Sequence, residues 1–119
     1  GNAKDGRFGS DLQIQDLSKI GADRHNKGKV EYSLLDLSSL EACVRVLEFG
    51  AKKYSRDNWK KGSSLISILD SMLRHIARLQ TGEWLDKESG LPHIGHIQCN
   101  ALFLGNENNI IDLDFNPKV

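Results

Sequence analysis

Pro92-His93-Ile94-Gly95-His96-Ile97-Gln98-Cys99-Asn100-Ala101-Leu102-Phe103-Leu104 is the stretch on which the fold turns. Proline suits the first turn of a helix, where its missing N–H had no partner to lose, and Gly105 follows as a stop. Ile94, Ile97, Cys99, Ala101, Leu102, Phe103 and Leu104 put apolar surface nearly all round the rod. A helix over about 92–104 is therefore expected to be central. His93, His96 and Asn100 interrupt it at i, i+3 and i+7, one narrow polar stripe on a buried element. A lone histidine is ordinarily a satisfied core residue. Two in register with an asparagine point to a site.

Upstream, Leu65, Ile68, Leu69, Met72, Ile76 and Leu79 predict a second helix over about 65–80. Ser63 or Ser64 would cap its start, and Thr81-Gly82 its end, with Gly82 left-handed. His75 borders the apolar face, while Asp70 and Arg74 point away from it. A third pattern predicts a helix over about 34–53, with Ser33 as N-cap and Asp36 three residues on. Its buried stripe would be Leu37, Leu40, Val44, Leu47 and Ala51, and Glu41 and Glu48 fall inside that stripe. Three helices and no strand pattern predict an all-α fold. One helix apolar all round leaves such a unit short of covering layers, which a symmetric oligomer completing a larger bundle would supply.

Residues 1–28 read as an arm or loop, with a short ordered piece at Leu12–Ile20, and 29–105 as one helical domain. The tail 106–119 carries Ile111, Leu113 and Phe115 in alternation, a pattern for a short extended segment on the core or a partner. With 119 residues the chain fits one modest core. Its 16 basic and 16 acidic side chains cancel, which argues against a nucleic-acid binder held by phosphates. Lys27, Lys29, Lys52, Lys53, Lys60 and Lys61 are the one basic patch that would serve that class. No apolar run reaches membrane-spanning length and no signal peptide is visible. Two cysteines, Cys43 and Cys99, are too few for a disulfide scaffold. A cytoplasmic protein is expected.

An ionised carboxylate on a buried face requires a cation or donors. Glu41 and Glu48 thus call for a metal ion, an arginine or a lysine, unless they lie at the stripe's margin and pair with Arg45 or Lys52. Magnesium suits carboxylate oxygens and takes others from a substrate's phosphates. Glu83 and Asp86, in the acidic turn 82–90, stand three apart and either hold a divalent cation or are solvated. His75, His93 and His96 could form a zinc site of catalytic type, bind phosphate, transfer a proton, or bond to Asn100 and buried carbonyls. Lys52 and Lys53 at a helix end answer the helix dipole or a phosphate. Tyr54 and Trp59 beside them plug the core or stack on a base. Lys27 and Lys29 reach triphosphate oxygens or form a solvated pair.

Lys29-Val30-Glu31-Tyr32, Phe49-Gly50-Ala51-Lys52-Lys53-Tyr54, Asn58-Trp59, Arg74-His75, Gly82-Glu83, Asp86 and Glu88-Ser89-Gly90-Leu91-Pro92-His93, with His96 and Asn100, form a further pattern. Together they resemble the dATP/dGTP diphosphohydrolase family of bacteriophages and bacteria, related to the MazG-like all-α nucleoside triphosphate pyrophosphohydrolases. The resemblance implies an all-helical homodimer or homotetramer that uses Mg2+, or Mn2+, to cleave a nucleoside triphosphate to the monophosphate and pyrophosphate in a bacterial or phage-infected cell. MazG-like enzymes bind metal through two glutamates three apart on one helix and a Glu/Asp pair on another. This sequence departs from that pattern: its first helix has Glu41 and Glu48, not a pair three apart, and His93 and His96 occupy the place of the Glu/Asp pair. Either the acids have moved to Glu83 and Asp86, or the metal chemistry differs, or activity is reduced. Under the resemblance, Glu41, Glu48, Glu83 and Asp86 are the metal candidates. Glu41, His75, His93, His96 and Asn100 are the catalytic candidates, with Asn100 orienting an imidazole. Lys29, Lys53 and Arg74 would take phosphates, with Tyr54, Asn58 and Trp59 at the base. Two other readings are a Zn2+ hydrolase on His75, His93 and His96, and a non-catalytic helical dimerisation module.

Overall fold

The computed structural model describes residues 22–112. The expectations for Leu12–Ile20, Leu113 and Phe115 lie outside the described residues. The chain divides into two units, one ending at Leu34 and one beginning at Leu35. In the first, Lys29 N–H closes a turn on the Asn26 carbonyl at 3.0 Å, Gly28 supplying the positive φ of 79°. A 3-10 turn follows at Tyr32–Leu34.

The second unit is built on three helices: α1 (Glu41–Lys53), α2 (Leu65–Gln80) and α3 (His93–Leu104). Among the described residues there is no strand, only the isolated bridges Ser63 to Ile110 and Leu85 to Pro92. The fold is all-α. No helix among the described residues is long and apolar enough to cross a membrane. As its composition requires, α3 is central: α1 and α2 each pack on it and barely on one another. Cys43 and Val46 of α1 meet Cys99 of α3 in the core, with Leu47, Leu91 and Phe103 packed around them.

The ends of α2 are as its sequence dictates. Ser64 accepts from the Ser67 N–H, the bond of an N-cap. At the other end Gly82 N–H bonds the Leu79 carbonyl and Glu83 N–H the Arg78 carbonyl, a Schellman closure for which Gly82 takes φ 89°.

The start of α1 corrects the expectation. Ser33 does not cap it and the α-helix begins at Glu41, not near residue 34. Asp36 accepts from Ser38 N–H and from the Ser38 and Ser39 hydroxyls, so Leu37–Leu40 winds as a tighter 3-10 turn. The buried face is also rotated from the expected stripe. Cys43 and Val46 point inward, whereas Leu37 and Val44 are exposed. The cause is on α3: a Cβ on Gly95 would lie 2.6 Å from the Ala42 carbonyl oxygen. Only glycine admits this approach, and it turns the Ala42 side of α1 toward α3. In the tail, Ile110 is buried and Ile111 is exposed, the reverse of the expected alternation. The Ser63 N–H to Asn109 carbonyl and Ile111 N–H to Ser63 carbonyl bonds set that register.

Candidate functional site

One cleft of about 870 Å3 opens between α1, α2 and α3, and it gathers most of the chemistry-bearing residues. Lys53, Tyr54, Asn58, Trp59, Arg74, His75, Glu83, Asp86, His93, His96 and Asn100 all line it. Glu41 and Glu48 do not. Both are exposed, and Glu41 pairs with Arg45 at 2.9 Å on the open side of α1. The expectation that these two carboxylates are buried is thereby corrected; the rotation of α1 carries them outward. Lys29 belongs to the first unit.

The acidic turn is a folded bracket. Asp86 N–H bonds the Leu91 carbonyl, Gly90 N–H the Asp86 carbonyl, and His93 N–H the Trp84 carbonyl. Gly90 makes the reversal at φ 74°. These bonds press Glu83, Asp86 and Ser89 against the start of α3. His93, 1% exposed, bonds Glu83 Oε2 through Nε2 at 2.8 Å. A carboxylate only accepts, so Nε2 carries a proton, and in the neutral ring the lone pair is then on Nδ1. The His75 Nδ1 lies 2.9 Å from that Nδ1.

A second chain of bonds runs alongside. The Ser89 hydroxyl donates to Asp86 Oδ2 at 2.9 Å and accepts from His96 Nε2 at 2.7 Å, because its one proton is already committed. His96 therefore also keeps its lone pair on Nδ1. Its ring stacks on that of His75 at 4.3 Å and 5°. Burial lowers both the His75 and His96 pKa values, the neighbouring imidazoles adding to it, so both rings are neutral at physiological pH. Burial alone would raise the Asp86 carboxyl. The Ser89 N–H and hydroxyl, with the His96 and His75 rings, outweigh it and hold the group below the usual range.

Asn100 departs from its expected role. It donates to the Ser71 hydroxyl at 3.1 Å and the His96 carbonyl at 3.0 Å, tying α3 to α2, and neither bond goes to an imidazole. Arg74, which the helical pattern points away from the apolar face of α2, lines this same cleft. Arg78, one turn on, joins it with Arg56 and Lys87. Lys53 bonds Glu88 at 2.8 Å, and that carboxylate raises its pKa. Trp59 stacks on Phe103 at 5.1 Å, while Tyr54 stands exposed at the rim. Ser89, Ser71, Arg56 and Arg78 were missed by sequence reasoning. Ser89 three residues after Asp86, and Ser71 and Arg78 one helical turn either side of residues 74–75, are the spacings that mark those three, whereas Arg56 carries no such signal.

Residues 19–112 match the family described as dATP/dGTP diphosphohydrolase, N-terminal. The chain belongs to this family. A dATP/dGTP diphosphohydrolase of Salmonella phage PMBT28 is 35% identical over 81 residues, covering 68% of this chain and 28% of the phage protein. The chain thus spans under a third of that relative's length. No solved structure matches it.

The magnesium that the diphosphohydrolase resemblance implies can be tested against the donors present. Magnesium takes oxygen ligands in near-ideal octahedra. In the cleft, Glu83 is bound to His93 and Glu88 to Lys53. Asp86 remains, with imidazole nitrogens of His75 and His93 as its neighbours. An all-carboxylate magnesium set does not fit these residues.

Proposed function

We propose that this diphosphohydrolase-family chain hydrolyses a nucleoside triphosphate, of the dATP/dGTP kind, to the monophosphate and pyrophosphate. The supporting observation is the sharing of one cleft by cations and by a histidine–carboxylate cluster. Lys53, Arg56, Arg74 and Arg78 line it beside His75, His93, His96 and Asp86. Guanidinium groups fork onto phosphate oxygens and give orientation as well as charge, and 870 Å3 accommodates a nucleotide. The outer face of Trp59, backed by Phe103, and the exposed Tyr54 offer surfaces for a base, with Asn58 able to bond its edge.

In the reaction, water attacks the α-phosphorus in line with the bridging oxygen to the β-phosphate. The new O–P bond forms as that bridging bond breaks, and pyrophosphate departs with its charge held by the cations. The attacking water's proton passes to His96 Nδ1, whose ring is fixed by Ser89 and Asp86. Glu41 and Glu48 take no part within the chain. A homo-oligomer is the second element of the proposal: Ile66, Leu73 and Ile76 leave one side of α2 apolar and exposed, and a second copy would cover it.

The experiment is a panel of ribo- and deoxynucleoside triphosphates with added Mn2+ or Mg2+, separating pyrophosphate from orthophosphate. Equal amounts of monophosphate and pyrophosphate support the reading. Orthophosphate alone means that a different bond is cut. No turnover together with no nucleotide-dependent rise in melting temperature returns the chain to a helical interaction module.

A further inference from the structure

The geometry points to a binding site for one divalent transition-metal ion of octahedral preference, Mn2+ or Co2+, formed by His75 Nδ1, His93 Nδ1 and the Asp86 carboxylate. The ligand atoms of these three residues lie within 4.8 Å of one another. Glu83 fixes the His93 proton on Nε2, so His93 Nδ1 presents a lone pair 2.9 Å from His75 Nδ1. Two nitrogens that close require a shared proton or a shared cation. A carboxylate on the far nitrogen of a buried imidazole is the outer support that metal-binding histidines have, fixing the tautomer and raising basicity.

The separation also selects the coordination. For N–metal bonds of about 2.05 Å, nitrogens 2.9 Å apart subtend about 90° at the ion. A tetrahedral ion would hold them about 3.3 Å apart, so zinc in its structural geometry is the poorer match. Asp86, with its ligand oxygen within 4.8 Å of the histidine ligand atoms, completes a face by closing toward the roughly 3 Å that separates neighbouring ligands of such an ion. Two imidazoles and one carboxylate suit first-row transition metals, whereas magnesium prefers oxygen throughout. The other three positions remain open to water or phosphate.

The third imidazole is excluded by direction. An imidazole lone pair lies in its ring plane, and the His75 and His96 planes are parallel within 5° at 4.3 Å. One ion cannot lie in both planes. The trio His75, His93 and His96 considered from the sequence is thereby replaced by His75, His93 and Asp86. This site stands on the cleft's geometry alone, so it and the nucleotide reading fail separately.

The test needs no nucleotide. The full chain, stripped with chelator, is titrated with Mn2+, Co2+, Mg2+ and Zn2+ by equilibrium dialysis, and the Co2+ form is read by visible absorption. One Mn2+ or Co2+ per chain is expected, bound more tightly than Mg2+, with the weak absorption of octahedral cobalt. His75→Gln and Asp86→Asn should lose that binding. Glu83→Gln, which removes only the support, should weaken it about 10–100-fold. His93→Gln is made as well. If it fails to fold by circular dichroism, the other three variants carry the test. Absence of stoichiometric Mn2+ or Co2+, intense tetrahedral cobalt bands, or wild-type binding in Asp86→Asn and His75→Gln would overturn the assignment.

Discussion

Replacing Gly95 with alanine tests the packing that sets the cleft. The added methyl would stand 2.6 Å from the Ala42 carbonyl oxygen and 2.9 Å from the Ala42 Cβ. Backbone atoms of α1 cannot swing aside as a flexible side chain would, so α1 and α3 must separate. Overpacking of this kind costs about 1–3 kcal/mol, and a backbone collision belongs in the upper half of that range. Alanine recovers about 1 kcal/mol of helix propensity, leaving a net loss of about 1–2 kcal/mol. For a domain of this size that is a fall in melting temperature of roughly 5–15 °C. The control is Gly50→Ala in α1, where a Cβ meets nothing within 4 Å. There the propensity gain is unopposed and the melting temperature should rise by a few degrees. Calorimetry on both variants makes the comparison. A Gly95→Ala protein melting at or above wild type would refute the claim that α1 is oriented by this contact.

Three other outcomes are expected. Ser64→Ala should cost about 1 kcal/mol by urea unfolding, since it removes the oxygen that accepts the Ser67 N–H. Arg74→Ala and Lys53→Ala should raise the KM for nucleotide at least tenfold, while Glu41→Gln, exposed and paired with Arg45, should turn over like wild type in the same steady-state assay. Burial pushes the Cys99 thiol up to about 12 and the Cys43 thiol upward too. In the unfolded chain both ionise near about 8.5, so this share of stability is full below that pH and is lost as pH rises toward 12. The urea midpoint should therefore fall between pH 8 and 10.5, and fall less in Cys99→Ala.

What was legible in the sequence divides along physical lines. The central helix announced itself because Ile94 to Leu104 leaves no polar side to face water, and α2 because Ser64 and Gly82 act locally at its ends. The polar stripe of α3 was equally plain: His93 and Asn100 are buried and bonded. The orientation of α1 was not legible. Leu37, Leu40 and Val44 satisfy helical spacing as well as Cys43 and Val46 do, and what decides between them is Gly95, more than forty positions away in the chain. Glu41 and Glu48 followed that misassigned stripe. The start of α1 was obscured for a local reason, the competition of Asp36 for three donors. Ser89 was overlooked because its importance lies in joining Asp86 to His96, a relation that exists only once the turn is folded.

The most direct test of the hydrolytic reading is turnover of dATP or dGTP in 18O-labelled water, with the products weighed by mass spectrometry. Attack at the α-phosphorus predicts one labelled oxygen in the nucleoside monophosphate and none in pyrophosphate. Label in pyrophosphate or in orthophosphate would contradict it.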